Sequence, residues 1–450
     1  MNWFSILRLG LVQLCIGSSV VIPLSTLNRL MKVELALPAT IAGFLIALHY
    51  AVQLTRVNWG YLSDKTQNRS QWIIFGMLIL GIGGVLASAS IPLIESNFAY
   101  GIMLALFSYT LIGFGVGAAG TPLLALLASY SSKSQKGFAA SITFLMMILG
   151  LAITGITAGI ILDPYSHQKL IKITTSLAII TNILSYLSLK NLEKTLRNNA
   201  DVRTPNAINY NEPFFEGIKK VWMEREARLF TIFIFISMGA FSMQDPILEP
   251  FAGEVFGFAV GESTKLDGIH KIGTLIGIIL IILCLSKFRI GFASLSIVKN
   301  ERLGSEKFWL ITGCLFSAFS LFIISLLGVT YRDPGILNSV VFLFGISNGV
   351  FTAGILGTML HLASRGSDDN NTGTRMGIWG AAQAYATMIA VFFSTVLVDI
   401  LGLMMNSLPN VYGIVFLTAA SFFIAAAFLG SLIIKKDELD QNQNILQSVN

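Results

Sequence analysis

The sequence predicts an all-α polytopic membrane protein of twelve transmembrane helices, arranged as two six-helix pseudo-repeats. Three observations carry that prediction. Of the 450 residues, 54% are hydrophobic and only 12% charged, with a mean hydropathy of +0.73. A soluble domain carries about 25% charge, so this chain has too few charges to cover a water-facing surface. The charges are also clustered, separated by apolar windows of roughly 20 residues, the length of helix that crosses a ~30 Å hydrocarbon core. Finally, the two halves of the chain repeat the same features in the same order.

The spans fall near 5–28, 36–58, 71–93, 98–129, 137–162, 171–190, 228–248, 266–287, 308–330, 336–363, 375–402 and 410–434. The first contains Ile6–Leu27, an apolar run too long for the core of a secretion signal and lacking a clear cleavage site, so it reads as a membrane helix. Twelve crossings put both termini on one side. Of the 30 Lys and Arg, 23 fall on that side and 7 on the other, which makes the side of the termini cytoplasmic. The net charge of +6 therefore belongs to membrane-flanking loops and does not point to nucleic acid. Cys15, Cys284 and Cys314 all lie inside apolar runs, which leaves no disulfide framework and no metal site.

The longest loop divides the chain into residues 1–190 and 228–434, followed by a cytoplasmic tail, 435–450. This linker, 191–227, begins polar. It then offers Asn211 and Pro213 as helix-start signals, followed by Phe214, Phe215, Ile218, Val221 and Trp222 at helical spacing with Lys219, Lys220 and Arg225 nearby. That pattern fits an amphipathic helix in the membrane interface, with a solvated linker as the alternative. The loop 288–307 admits the same two readings.

The internal repeat is most visible where GFGVGAAGTPLLALLAS, from Gly113, parallels GISNGVFTAGILGTMLHLAS, from Gly345. Each is followed by a polar loop and a base, Lys136 or Arg375, and Asp163 and Asp399 then sit near the far ends of the fifth and eleventh spans. LNRLMKVEL after the first span loosely parallels LEPFAGEVF after the seventh. Duplicated six-helix halves are the scaffold of alternating-access transporters.

Between the second and third spans stands GYLSDKTQNR, in which Gly60, Asp64, Lys65 and Arg69 form the pattern G-x-x-x-D-[RK]-x-x-x-R. Gly60 permits close helix approach, Asp64 favours a helix N-terminus, and Lys65 and Arg69 reach helix-end carbonyls or acids across a cytoplasmic gate. The pattern resembles the signature of the major facilitator superfamily. QDPILEPFAGEVFG, Gln244 to Gly257, goes further: it resembles the Q-D-x-L-L-E-P-Y-G-G-x-V-F hallmark of the bacteriochlorophyll delivery family, the PucC/LhaA-type branch of that superfamily, with Phe251 for the usual Tyr and Ala252 for the first Gly. NRLMKVELALPA, from Asn28, is similar to that family's N-R-x-M-x-V-E-L-x-x-P-A stretch. The resemblance implies a major facilitator fold and the handling of chlorophyll or bacteriochlorophyll, as cargo or bound pigment, during assembly of light-harvesting or photosystem complexes. It further implies a thylakoid or bacterial inner or intracytoplasmic membrane, with antenna or photosystem subunits, lipid and chlorophyll-synthesis enzymes as candidate partners.

The residue chemistry is compatible with such a cargo. Chlorophyll magnesium needs one axial ligand, which an imidazole, amide, water or carboxylate can supply. Of four histidines, His49 lies inside the second span and shares a face with Gln53 and Arg56; His270 opens the eighth, His361 closes the tenth and His167 sits in an outer loop. His49, Gln53 and His270 are the candidate pigment-binding residues, against the alternative of hydrogen-bonded polar residues within the bundle. Asn28, Arg29, Glu34, Asp245, Glu249, Pro250 and Glu254 form a candidate outer mouth. There the acids face Arg29 and Lys32 as a clasp between halves, or meet a pigment rim or a partner protein. Pro246, Pro250 and Gly253 are expected to break the seventh helix, freeing backbone carbonyls.

Other function classes find little support. The middles of spans 1, 4, 7 and 10 hold no Asp, Glu, Lys or Arg, where an ion-coupled carrier of polar solutes needs them. No nucleotide loop, HExxH or Cys/His ligand spacing occurs, so neither an enzyme, a nucleotide nor a free metal is expected. Two further readings stand beside pigment delivery: a non-transporting photosystem or antenna assembly factor, and a facilitator for solutes or drugs.

Overall fold

The computed structural model describes residues 3–66, 68–130, 136–199, 222–285, 288–290, 293–295, 306–364 and 372–433. In the first half, α1 (Trp3–Glu34) is followed by α2 (Ala39–Thr55), α3 (Arg56–Thr66), α4 (Arg69–Ser96), α5 (Phe98–Tyr130), α6 (Lys136–Ile161) and α7 (His167–Leu189). The short α8 (Leu192–Asn199) opens the linker. The second half comprises α9 (Arg225–Met243), α10 (Leu248–Phe256), α11 (Val260–Leu285), α12 (Glu306–Thr330), α13 (Pro334–Ser364), α14 (Thr372–Met404) and α15 (Leu408–Ile433). With α2 and α3 joined as one crossing, and α9 and α10 as another, the chain makes the twelve crossings expected. Ten helices among the described residues are long and apolar enough to cross a membrane, and α2 adds a shorter apolar one.

The elements outrun the apolar windows wherever charge lies inside a helix. α1 continues to Glu34 through π-helical turns at Ile22–Thr26 and Leu30–Glu34, because Asn28, Arg29 and Lys32 lower hydropathy without stopping the helix. α11 begins at Val260, six residues ahead of the predicted start, with Glu262, Lys265, Asp267 and Lys271 inside it. In the loop 288–307, β1 (Phe288–Ile290) pairs antiparallel with β2 (Ala293–Leu295), and most of the remaining loop lies outside the described residues. The candidate amphipathic stretch from Asn211 to Val221, and the tail 435–450, lie outside the described residues.

Each half has its own core. The first is built from Leu, Ile, Ala and Met around Tyr109. The second is aromatic, with Phe230 edge-on to Trp379, and Phe251 against Tyr412 and Phe416. Among the described residues, eight phenylalanines are buried, all in the second half, whereas fourteen are exposed. Within a membrane, helices associate through close contact of small residues, and α11 meets α13 in that way. A Cβ on Gly273, Gly277, Gly345 or Gly349 would stand 2.1–2.3 Å from a carbonyl oxygen of the facing helix.

The halves meet through the same device. Gly155 and Gly159 of α6 face Gly268 and Gly261 of α11, and Gly43 of α2 faces Thr395 of α14. All of these contacts lie toward the end where α1 passes to α2 and α10 to α11. That end, the mouth, is closed in this structure.

Candidate functional site

The mouth is organised by the break between α9 and α10. α9 ends at Met243, and Gln244 to Ile247 form a turn. The cause is Pro246, which has no N–H and disfavours a helical residue before it. Pro250 falls in the first turn of α10, where prolines are tolerated, and α10 ends at Gly257, whose φ of 72° lies in the left-handed region open to glycine. Gly253 is not a breaker, as the sequence reading had it. It sits inside α10, and its missing side chain makes room for Arg29, whose Nε and Nη2 lie 3.3 Å from where a Cβ would be.

The carbonyls freed at both ends of α10 are taken up by α1 of the other half. Asn28 donates its amide to the Pro246 carbonyl. Arg29 donates Nη2 to the Phe258 carbonyl at 2.6 Å and Nη1 to Glu34 at 2.6 Å. Both side chains are at most 2% exposed. Irregular backbone at membrane depth persists only where protein satisfies it, and here the opposite half does so.

Around that seam the charges divide into two groups. Nearer the surface, Lys32 lies 3.8 Å from both Glu254 and Asp399, and Tyr412 donates to Glu254 at 2.7 Å. Asp399 caps the start of α2 from the other half, accepting from the Ala39 and Thr40 backbone N–H groups at 2.9 and 2.7 Å and from the Thr40 hydroxyl at 2.7 Å. Its pseudo-equivalent, Asp163, lies against Gly261 near the start of α11. There Glu262 already accepts from the Ala259 N–H at 2.9 Å, so the cap across the halves is one-sided.

Deeper, Lys271 stands 3.8 Å from Asp245 and 3.5 Å from Asp267, and Ser25 of α1 donates to Asp267 at 3.3 Å. Asp245 was expected to face Arg29 and Lys32; its cation is instead Lys271, from its own half. Glu249 is buried, and neither of its oxygens has a hydrogen-bond partner. The sequence reading held Asp245, Asp267 and Lys271 inside the seventh and eighth spans but did not pair them. The spacing Asp267–Lys271, i to i+4 on one helical face, was the available signal.

The two interior histidines are related by the internal repeat. His49 lies ten residues after Ala39 at the start of α2, and His270 ten residues after Val260 at the start of α11. The carbonyl of His49 meets Gly113 and that of His270 meets Gly345, the glycines that open the repeated segment. Tyr50 and Lys271 follow as the next pair, close enough to interact across the halves. His49 Nε2 lies 2.8 Å from Gln53 Nε2, and Gln53 Oε1 accepts from Arg56. Because Arg only donates, this chain orients the amide to donate to Nε2 and places the imidazole proton on Nδ1. His270 Nε2 lies 3.0 Å from Asn348 Nδ2, its ring is stacked on Phe344, and Asn348 Oδ1 accepts from Ser317 at 2.9 Å. Both histidines are buried, and in both Nδ1 has no partner.

The other sequence candidates lie elsewhere. Gly60, Asp64 and Lys65 fall in α3, where their side chains are outside the described set. Arg69, at the start of α4, donates to the Ala125 carbonyl at 3.1 Å and to Ser129 at 2.6 Å, while Glu193 accepts from the Arg69 and Ser70 backbone N–H groups at 3.1 and 2.8 Å. His167 bonds Glu95 and Tyr165, apart from the interior pair. Among the described residues, no group of three or more His, Cys, Asp or Glu could hold a metal ion. On the outside of the first half, a groove of about 320 Å³ between α4 and α7 is lined by apolar residues including Leu78, Ile82 and Ile179.

The family described as PUCC protein matches residues 26–437, which includes the mouth, both histidines and the linker. The chain belongs to the PucC family. It is 41% identical to the "Bacteriochlorophyll synthase 44.5 kDa chain" of Rhodobacter capsulatus over 434 residues, covering 96% of each chain. It is 28% identical to "Protein PucC" of Cereibacter sphaeroides, over 91% of this chain and 85% of that one. Among solved structures it resembles a bacterial homologue of the lysosomal transporter Spinster, with TM-score 0.68, 12% identity and coverage of 96% and 97%. The nucleoside transporter NupG aligns with TM-score 0.65, 14% identity and coverage of 97% and 100%. The fold is that of the major facilitator transporters, two six-helix halves about a central seam.

Proposed function

We propose that this protein carries, holds or hands over chlorophyll or bacteriochlorophyll during assembly of light-harvesting or photosystem complexes in a photosynthetic membrane. The observation that carries the reading is membership of the PucC family across nearly the whole chain, with a relative at 41% identity named for bacteriochlorophyll synthesis. Two features of the site support it. Two buried imidazoles at repeat-related positions each keep one ring nitrogen without a partner. His270 is stacked on Phe344 and His49 lies edge-on to Tyr50, aromatic faces of the kind an apolar ring packs against.

As held here, His49 is a donor at Nδ1 and its Nε2 lone pair is engaged by Gln53. To ligate magnesium, Gln53 must release Nε2. His270 is held by an amide whose other contact is a hydroxyl, which donates or accepts, so it can free a lone pair by an amide flip. His270 is therefore the readier ligand of the two.

The test is gentle purification followed by absorption spectroscopy. Bound chlorophyll-type pigment, reduced in His270→Phe, is the expected result. A co-purifying antenna or photosystem subunit without pigment in the protein itself points to a static assembly factor. Turnover of a pigment precursor added to the purified protein points to an enzyme. Absence of all three leaves the solute facilitator.

A further inference from the structure

The deeper charge cluster leaves one acid without a partner. Glu249 lies in the first turn of α10, 2% exposed, with neither Oε1 nor Oε2 hydrogen-bonded. The charged groups that act on it are Arg29 from α1, and Asp267 and Lys271 from α11; Asp245 lies four residues before it on its own strand of chain. Phe251, two residues on, is enclosed by Tyr412 and Phe416 of α15, which bring no charge.

The cations are already engaged. Lys271 stands between Asp245 and Asp267, and Arg29 uses Nη1 on Glu34 and Nη2 on Phe258, leaving only a buried, unpartnered Nε. Arg29 and Lys271 thus face Glu34, Asp245 and Asp267 before Glu249 is counted. A fourth carboxylate, desolvated and without a hydrogen bond, is an arrangement folded proteins avoid; such a group is neutral unless paired or hydrated. Acids at membrane depth are characteristic of proton relays.

Two further facts tie this acid to the mouth. Glu249 belongs to the second half and Arg29 to the first, and Arg29 is held against α10 by the Phe258 carbonyl and by the absence of a side chain at Gly253. Separation of the halves therefore withdraws Arg29 from Glu249 and opens the seam along α10 to water.

We propose that Glu249 is a proton-binding site coupled to the mouth: its carboxyl holds a proton while the mouth is closed and releases it to water when the mouth opens. Protons then favour the closed state, and each opening is linked to release of one proton. This stands independently of the pigment reading.

The protonation state is read directly by infrared difference spectroscopy of the full chain in lipid, titrated across pH. A carbonyl band of a protonated carboxylic acid without a hydrogen bond should be present, absent in Glu249→Gln and shifted in Glu249→Asp. Coupling is read from the distance between spin labels at Tyr100→Cys and Met404→Cys, exposed positions near the mouth in opposite halves, with the three native cysteines changed to serine. The ratio of open to closed states should rise with pH, by up to about tenfold per unit through the transition. The ratio should be independent of pH in Glu249→Gln and retain its slope in Glu249→Asp. Absence of a Glu249-dependent band, or the same pH slope in Glu249→Gln as in the parent, overturns the proposal.

Discussion

Replacing Asp399 by alanine removes the group that ties α14 of one half to the start of α2 in the other. The carboxylate accepts three hydrogen bonds of 2.7–2.9 Å from Ala39 and Thr40 and lies 3.8 Å from Lys32. Hydrogen bonds to a charged group contribute about 1.5–3 kcal/mol net, and a charge at a helix N-terminus about 0.3–1 kcal/mol. These overlap, since the same N–H groups make both, and the Asp399 side chain is 21% exposed, so water recovers part of the loss. About 2 kcal/mol remains, exerted only while the halves touch. At 1.4 kcal/mol per factor of ten, that shifts the balance between closed and open mouth by roughly 30-fold. Asn keeps one acceptor oxygen and loses the charge; half of the effect, roughly fivefold, follows. The assay is the distance distribution between spin labels at Tyr100→Cys and Met404→Cys, in parent, Asp399→Asn and Asp399→Ala chains. A graded increase of the long-distance population is expected. An unchanged distribution in Asp399→Ala refutes the assignment of Asp399 as a latch and leaves the mouth held by the glycine contacts together with Asn28, Arg29 and Lys32.

Other expectations follow from the same structure. Gly345→Val places side-chain atoms on the His270 carbonyl, where even a Cβ would stand 2.2 Å away; overpacking of that kind costs about 1–3 kcal/mol or more, and the yield of folded protein in detergent should fall sharply, whereas Gly380→Val, with open space around its Cβ position, should be neutral. A cysteine at Asn199, at the end of α8, should be labelled only from the cytoplasmic side; labelling from outside in intact cells reverses the orientation drawn from 23 of 30 bases lying on one face. His49→Phe should lower bound pigment less than His270→Phe does, and His49→Gln should restore part of it; equal pigment in all three chains makes both histidines structural. Asp64→Asn, in the signature carried by α3, should reduce antenna assembly while membrane expression persists, and unchanged assembly would favour a static scaffold.

What could be read without coordinates was set by where apolar periodicity carries the information. The crossings were legible because most of their spans are long apolar runs. The mouth was legible as a place, since Asn28, Arg29 and the QDPILEP segment are polar where lipid should be, but not as a set of contacts. Glu254 does face Lys32, yet Asp245 turns to Lys271, because α11 starts earlier than hydropathy allowed and carries that lysine to the same depth. The repeat relation of His49 and His270 was implicit in the parallel of Gly113 with Gly345. It became visible only when both histidine carbonyls were seen against those glycines. That Glu249 has no partner could not be inferred, since a missing hydrogen bond leaves no trace in composition or spacing.

The central claim, that the protein hands over a chlorophyll-type pigment, is tested most directly by transfer. The purified chain is reconstituted into lipid vesicles with bacteriochlorophyll, pigment-free antenna polypeptides are added, and the absorption spectrum is followed in time. The account predicts that absorption of antenna-bound pigment appears faster with the parent chain than with protein-free vesicles, and that His270→Phe slows it. Identical kinetics with and without the protein, under conditions in which the antenna polypeptides do accept pigment, would contradict it.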